Sequence, residues 1–199
     1  MSIFLKGINK LQITYWRVMG YGLAKMHGVE IGRGCTFYGL PIISRAPGSR
    51  IVIGDRVVLC SDSRYTALGV NHPVILRTLR TGAELKIGDD SGLSGSAICA
   101  AISVSIGKSA LIGANVLLFD TDFHTKNPIN RRYCGDHEKI AAKPVMVDDN
   151  VFIGANSIIT KGVNIGRNSI VGAGSVVVKA VAESKIVAGS PAKEIGNVG

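Results

Sequence analysis

Residues 147–181 read "VDDNVFIGANSIITKGVNIGRNSIVGAGSVVVKAV". Every sixth position is aliphatic: Val147, Ile153, Ile159, Ile165, Val171 and Val177. With aliphatic side chains at about a quarter of positions, six such hits in a row arise by chance roughly once in thousands of trials. Four residues beyond each stands a small or β-branched side chain: Val151, Ser157, Val163, Ser169, Ser175 and Val181. A period of six does not fit the turn of an α-helix, and β-branched residues at this density favour strands. Each interior glycine would also cost a helix about 1 kcal/mol. Alternation inside the hexad sends the aliphatic residue and the residue four beyond it to one side. A short strand, a bend and another short strand satisfy both constraints, and such a hexad is a signature of a parallel β-helix. Its rungs are expected about 4.8 Å apart.

The same hexad recurs upstream as "IGRGCT" from Ile31, "IGDRVV" from Ile53, "IGDDSG" from Ile87, "IGKSAL" from Ile106 and "IGANVL" from Ile112. Ile87 and Leu93 keep step, but Ile106 comes one residue late, which predicts a β-bulge within "ICAAISVS", residues 98–105. The block 66–86 is poorly periodic and reads as an excursion or a distorted coil. The largest break covers 123–145 and holds His124, Pro128, Arg131, Arg132, Cys134 and Pro144. It is expected to leave the coil as a loop, and long loops tend to be functional. The fold expected is all-β: an N-terminal helical cap over 1–28, then a parallel β-helix over 29–199, with one protruding loop at about 124–144.

A chain of 199 residues suits one domain with a sizeable core, and 46% hydrophobic residues is ordinary for a globular protein. Lys6, Lys10 and Arg17 interrupt the apolar N-terminal stretch, so it lacks the unbroken core of a signal peptide. No apolar run approaches the roughly 20 residues needed to cross a bilayer. Ile3, Phe4, Leu5, Ile8, Leu11, Tyr15, Met19 and Leu23 fit a helical stripe. Its first reading is a helix capping the end of the coil; its second is peripheral contact with an anionic membrane. Cys35, Cys60, Cys99 and Cys134 are far apart and form no CxxC pair, which argues against a disulfide framework and a zinc ribbon and points to a reduced, cytoplasmic setting. Cys134 and His137 have ligand-like spacing but lack a second pair. The net charge of +9 calls for an anionic partner. Nucleic acid is disfavoured by 6% aromatics and the lack of any helix-turn-helix, RRM or finger motif. A phosphate-bearing small molecule is the more economical partner.

The hexads "IGKSALIGANVLLFDTDFH" and "VFIGANSIITKGVNIGRNSIVGAGSVVVK", with the tail "VAGSPAK", resemble the hexapeptide-repeat acyltransferases, nearest to the galactoside, maltose and polysaccharide O-acetyltransferases. The resemblance spans residues 31–195. It implies a left-handed winding, where the general preference for strand crossovers is right-handed. It also implies a homotrimer and acetyl-CoA as co-substrate. In such enzymes a His at the end of a coil, just before the protruding loop, is the catalytic base, and His124 in "DTDFHTKNP" occupies that place. An acceptor hydroxyl is a poor nucleophile at neutral pH, and an imidazole can take its proton as the new bond forms. Asp122 or Asp120 is expected to fix the imidazole tautomer, with Asp122 favoured because residues two apart in a strand point the same way.

The resemblance further assigns the acetyl-CoA channel to Ala155 and Ala173, bordered by Phe152 in place of the usual Trp. It assigns the CoA phosphates to Lys179 and to Lys193, which replaces a common Arg. Val178 departs from a usual hydroxyl residue and Gly196 from a further basic one, both at the nucleotide end. For the saccharide acceptor, Ser94 in "GLSG" stands where a polar residue, often Asn, faces the base. Asn71 and His72 are candidates for the cleft, and Arg131 and Arg132 for an anionic group. "NHP" is equally a turn. The alternative within the same chemistry is N-acylation of an amino sugar or its nucleotide-linked form. A zinc enzyme of the carbonic anhydrase type is disfavoured, because His27, His72, His124 and His137 form no close set and catalytic zinc needs three protein ligands. No metal is expected. A non-catalytic assembly solenoid would leave His124 and the late-coil channel without a purpose.

Overall fold

Each hexad becomes one side of a triangular coil. The computed structural model describes residues 3–133, 135 and 137–199. The first coil consists of β1 (Glu30–Ile31), β2 (Thr36–Tyr38) and β3 (Ile42–Ser44); the second of β4 (Arg50–Ile53), β5 (Val58–Cys60) and β6 (Ile75–Thr78). The third is β7 (Glu84–Ile87), β8 (Gly92–Ser94) and β9 (Ala97–Ala100); the fourth β10 (Ser103–Ile106), β11 (Leu111–Ile112) and β12 (Leu117–Phe119). The fifth is β13 (Val145–Val147), β14 (Phe152–Ile153) and β15 (Ile158–Ile159); the sixth β16 (Asn164–Ile165), β17 (Ile170–Val171) and β18 (Val176–Val177). Strands three apart pair in parallel, so the first, second and third strands of successive coils build three sheets. β19 (Lys185–Gly189) extends the second sheet, and β20 (Ala192–Asn197) folds back antiparallel on it.

The aliphatic residue of each hexad points inward and stacks on its counterpart one coil away. Ile53, Ile87, Ile106, Val147 and Ile165 form one such column, and Leu59, Leu93, Ile112, Ile153 and Val171 another. All are essentially solvent-free. The small residue four places on is buried at the corner. Where it is serine its hydroxyl bonds the adjacent coil: Ser157 donates to the Gly172 carbonyl at 3.0 Å, and Ser169 to the Ala182 carbonyl at 2.7 Å. That satisfies a buried polar group that would otherwise be costly. Corner glycines let backbones approach: a Cβ on Gly154 would sit 2.5 Å from the Ala173 nitrogen.

Two expectations are corrected. The residue in excess before Ile106 forms no bulge, because β9 and β10 pair in unbroken register with their neighbours. It lies instead in the corner at Ala101 and Ile102, where side-chain capping holds it. The block 66–86 is not wholly irregular: it contains β6 and most of β7, both in register, and the excursion ends before Val74.

The helix α1 (Ile3–Met26) lies against the first coil. Gly20 faces the Phe37 ring so closely that a Cβ would come within 2.5 Å of it. Ala24 is fully buried, and the Tyr21 hydroxyl donates to the Gly32 carbonyl at 2.9 Å while accepting from the Cys35 N–H at 3.0 Å. The helix therefore closes the open end of the hydrophobic column. The stripe read from the sequence splits: Leu23 packs on the core, whereas Leu11, Tyr15 and Met19 face out. The side chains of Ile3, Phe4, Leu5 and Ile8 lie outside the described residues, as does Cys134 of the Cys134–His137 pair.

Candidate functional site

Between Phe119 and Val145 the chain leaves the coil, and the exit is built by three consecutive residues. Asp120, fully buried, turns its carboxylate onto the corner between the third and fourth coils. It accepts the N–H groups of Ala101 at 2.6 Å, Ile102 at 2.7 Å and Ser103 at 2.8 Å. Charge-assisted bonds of this kind are the strong ones, and three of them hold the corner that carries the excess residue. Thr121 bridges Ala142 in antiparallel fashion, and the Asp122 N–H donates to the Ala141 carbonyl at 3.1 Å. The loop is thus pinned where it departs and returns. Phe123 then takes φ +58, a left-handed conformation that costs a bulky L-residue about 1–2 kcal/mol. Its ring packs on Phe119 at 5.3 Å, and the next N–H, that of His124, donates to the Asp122 carbonyl at 2.7 Å.

This turn presents the His124 imidazole to solvent at a pocket of about 380 Å³. Leu79, Arg80, Ala101, Thr121, Phe123 and Ile140 line the rest. Arg80 donates to the Ile140 carbonyl at 2.6 Å and ties the returning end of the loop to the corner after β6. Among the described residues the His124 ring has no hydrogen-bond or ion-pair partner. Neither candidate aspartate reaches it: Asp120 is committed to the three N–H groups, and Asp122 is ion-paired with Lys161, with Lys126 at 3.8 Å. The sequence reading missed Arg80, Lys161 and the capping work of Asp120. Arg80 and Lys161 lie 60 and 39 residues from their partners, so no local pattern announces them. The late Ile106 was the available signal for Asp120.

The other candidates fall into three groups. Phe152 on β14 is exposed on the outer face of the second sheet beside Leu111. With Ser94 these two share a shallow depression of about 210 Å³. Ala155 and Ala173 stack at the corner from the second sheet to the third, where the Gly174 N–H donates to the Ala155 carbonyl at 2.8 Å. Asn71 lies along the same corner, its N–H donating to the Asn115 side chain at 2.7 Å, and Asn115 reaches Asn156 at 3.4 Å. His72 is turned to the Pro73 carbonyl at 2.8 Å. Lys179 and Lys193 line one cavity of about 310 Å³ with Lys185 near the C-terminal hairpin. Lys185 is neutralised by Glu194 at 2.6 Å, while Lys179 and Lys193 have no ion pair among the described residues. Arg131 bonds the Lys126 carbonyl at 2.9 Å within the loop. The His124 pocket is lined by none of these residues: the imidazole follows β12 of the third sheet, Phe152 and Ser94 lie on the second sheet, Ala155 and Ala173 at the next corner, and Lys179 follows β18 two coils on. Among the described residues no group of three metal-ligating side chains converges, and no helix is long and apolar enough to cross a membrane.

The family model for the hexapeptide repeat of succinyl-transferase matches residues 84–119 and 144–179. A Staphylococcus carnosus 2,3,4,5-tetrahydropyridine-2,6-dicarboxylate N-acetyltransferase is 50% identical over 58 residues, 29% of this chain and 24% of that protein. An acetyltransferase candidate of Dictyostelium discoideum is 41% identical over 92 residues, 46% of each chain. The chain thus matches less than half the length of these curated relatives. Among solved structures, a polysialic acid O-acetyltransferase superposes with TM-score 0.57 at 19% identity, covering 85% of this chain and 82% of that one. A variant of a Bacillus cereus N-acyltransferase, in complex with dTDP-4-amino-4,6-dideoxyglucose and coenzyme A, gives TM-score 0.54 at 17% identity, covering 89% and 87%. Hexapeptide repeats thus occupy residues 84–119 and 144–179, and with three parallel sheets wound in sequence the chain has the left-handed parallel β-helix fold of the solved acetyltransferases on which it superposes.

Proposed function

We propose that the protein moves the acetyl group of acetyl-CoA to a saccharide hydroxyl, in the making of a surface polysaccharide, with His124 as general base. The observation that carries this reading is the exposed imidazole on the strained turn after Phe123, at a pocket of about 380 Å³ where the loop leaves the coil. The acceptor hydroxyl gives its proton to a ring nitrogen of His124 as its oxygen bonds to the thioester carbon. The carbon–sulfur bond then breaks, and the imidazolium returns the proton to the departing sulfur. Phe152, Ala155 and Ala173 border the pantetheine arm, and the amines of Lys179 and Lys193, without an ion pair among the described residues, meet the phosphates. Coenzyme A in the Bacillus cereus structure and the O-acetyl chemistry of the polysialic acid enzyme support this assignment.

Because Phe152, Ala155 and Ala173 lie on other edges of the prism than His124, the complete site needs a second copy, and a homotrimer supplies three equivalent clefts. Ser94 and Asn71 belong to the acceptor side of such a cleft, and Arg131 on the loop to an anionic saccharide. The reaction is placed in the cytoplasm, in keeping with free Cys35, Cys60 and Cys99. N-acylation of an amino sugar is the second reading, favoured by the two N-acyl relatives. The deciding experiment follows thiol release from acetyl-CoA against saccharides, amino sugars and nucleotide-linked amino sugars. Turnover with hydroxyl acceptors alone is expected. Turnover only with amines would replace the first reading by the second, and none with any acceptor would remove both.

A further inference from the structure

We infer that the outward face of α1 is an adsorption surface for an anionic lipid bilayer, laid flat in the headgroup region. The helix has two apolar faces where an end cap needs one. One face is spent on the first coil: Gly20 against Phe37, Ala24 buried, Trp16 and Leu23 packed on the core. The other presents Leu11 at 74% exposure, Tyr15 at 54%, Val18 at 67%, Met19 at 42% and Met26 at 77%. At 100° per residue these five fall within an arc of roughly 100°, joined there by Gly22, beside which nothing lies within 4 Å. A contiguous apolar arc left in water opposite a face already spent on the coil marks a contact surface.

Charge selects the occupant. The chain has no Asp or Glu before Glu30, whereas Lys6, Lys10, Arg17 and Lys25 fall within the helix. Exposed Lys25 flanks the arc directly, whereas Arg17 falls toward the coil-packed face beside Tyr21 and adds only to the helix's overall positive charge. A purely cationic helix repels its own copies, which disfavours self-association through this face. It suits a surface of phosphate headgroups, with the aliphatic stem of lysine lying along the apolar boundary and its charge reaching the phosphates. Tyr15 suits the same boundary, having an apolar ring and a polar tip. Since the helix is too short in apolar run to span, the contact is peripheral.

The test is co-flotation of the full chain with vesicles of phosphatidylcholine alone and with about one-third phosphatidylglycerol. Binding is expected to the anionic vesicles only and to weaken as salt rises. Leu11→Ser with Val18→Ser should lower it at least ten-fold. Lys25→Glu should lower it about five-fold or more, the scale of one surface charge. Leu11, Val18 and Lys25 all face solvent, so melting curves should not move. Sedimentation of every variant runs alongside. A change in oligomeric state on losing Leu11 and Val18 would make the arc a subunit interface and overturn the proposal. So would equal binding to neutral vesicles, no binding, or binding indifferent to these substitutions.

Discussion

A phenylalanine at positive φ is a costly way to turn a chain, and the cost is met by what surrounds His124. The Thr121–Ala142 bridge, the Asp120 cap and the Phe119–Phe123 contact hold the turn from three sides. Strain kept by over-determined surroundings is common where a side chain must be aimed. His124→Ala should leave the coil intact and lower acetyl transfer by about 10²–10⁴-fold, the usual scale for a lost general base. Matched circular dichroism with full activity would take His124 out of the reaction. Asp122 makes a second case at this scale. Its pairing with Lys161 leaves side chains only 24% and 22% exposed, and Asp122 Oδ2 is buried without a hydrogen-bond partner among the described residues. Lys161→Met leaves that carboxylate with only the exposed Lys126 amine at 3.8 Å. The expected loss is about 1–2 kcal/mol in urea unfolding, below the figure for a fully buried pair because water still reaches both groups. Adding Asp122→Asn should restore most of it; no restoration would mean that the lysine acts through packing alone.

At the scale of elements the repeat was readable because stacking leaves a periodic trace. Ile153 must be aliphatic for the same reason as Ile112 and Val171, since each is the floor of the next. The corners were less readable, because what holds them comes from another coil. Asp120 caps residues almost one coil back, and the excess residue near Ile102 read as a bulge until that cap was visible. The role proposed for His124 rests on resemblance, and its surroundings on the structure: Arg80 meets Ile140, and Lys161 meets Asp122, only after the chain has wound. The corner aspartates between the first and second sheets obey the same cross-coil logic. Asp55 accepts the Arg33 N–H at 2.7 Å, Asp89 the Asp55 N–H at 3.0 Å, and Asp149 the Lys108 N–H at 2.8 Å. The Asp55 N–H first, then Lys108, hold the Asp89 carboxyl below its ordinary range. A depressed carboxyl contributes stability that is complete above the unfolded value, about pH 4, and is lost as pH falls through the folded one. Asp89→Asn should therefore flatten acid unfolding, with wild type and variant differing above pH 4 and converging below it. Parallel curves throughout would show that the charge on Asp89 plays no part.

For the whole molecule, the positive balance and the separation of the candidate residues belong to one problem. A chain with net charge +9 attracts polyanions over its full surface, so binding of a phosphate-rich donor must be decided locally. Lys179 and Lys193 are the local candidates, since they face a shared cavity while Lys185 beside them is cancelled by Glu194. In the register of the third sheet, Lys179 stands two coils beyond Asp120, where the His124 loop departs. Lys179→Glu should raise the KM for acetyl-CoA about ten-fold while moving the acceptor KM less than two-fold, because reversing a charge acts on phosphate contacts made before chemistry. Added salt should narrow the gap between variant and wild type, since screening weakens the attraction that the variant lacks. Steady-state kinetics at two ionic strengths tests both statements. Equal effects on the two KM values, or a gap unchanged by salt, would detach Lys179 from the donor phosphates and leave the excess of charge to the N-terminal helix and the loop.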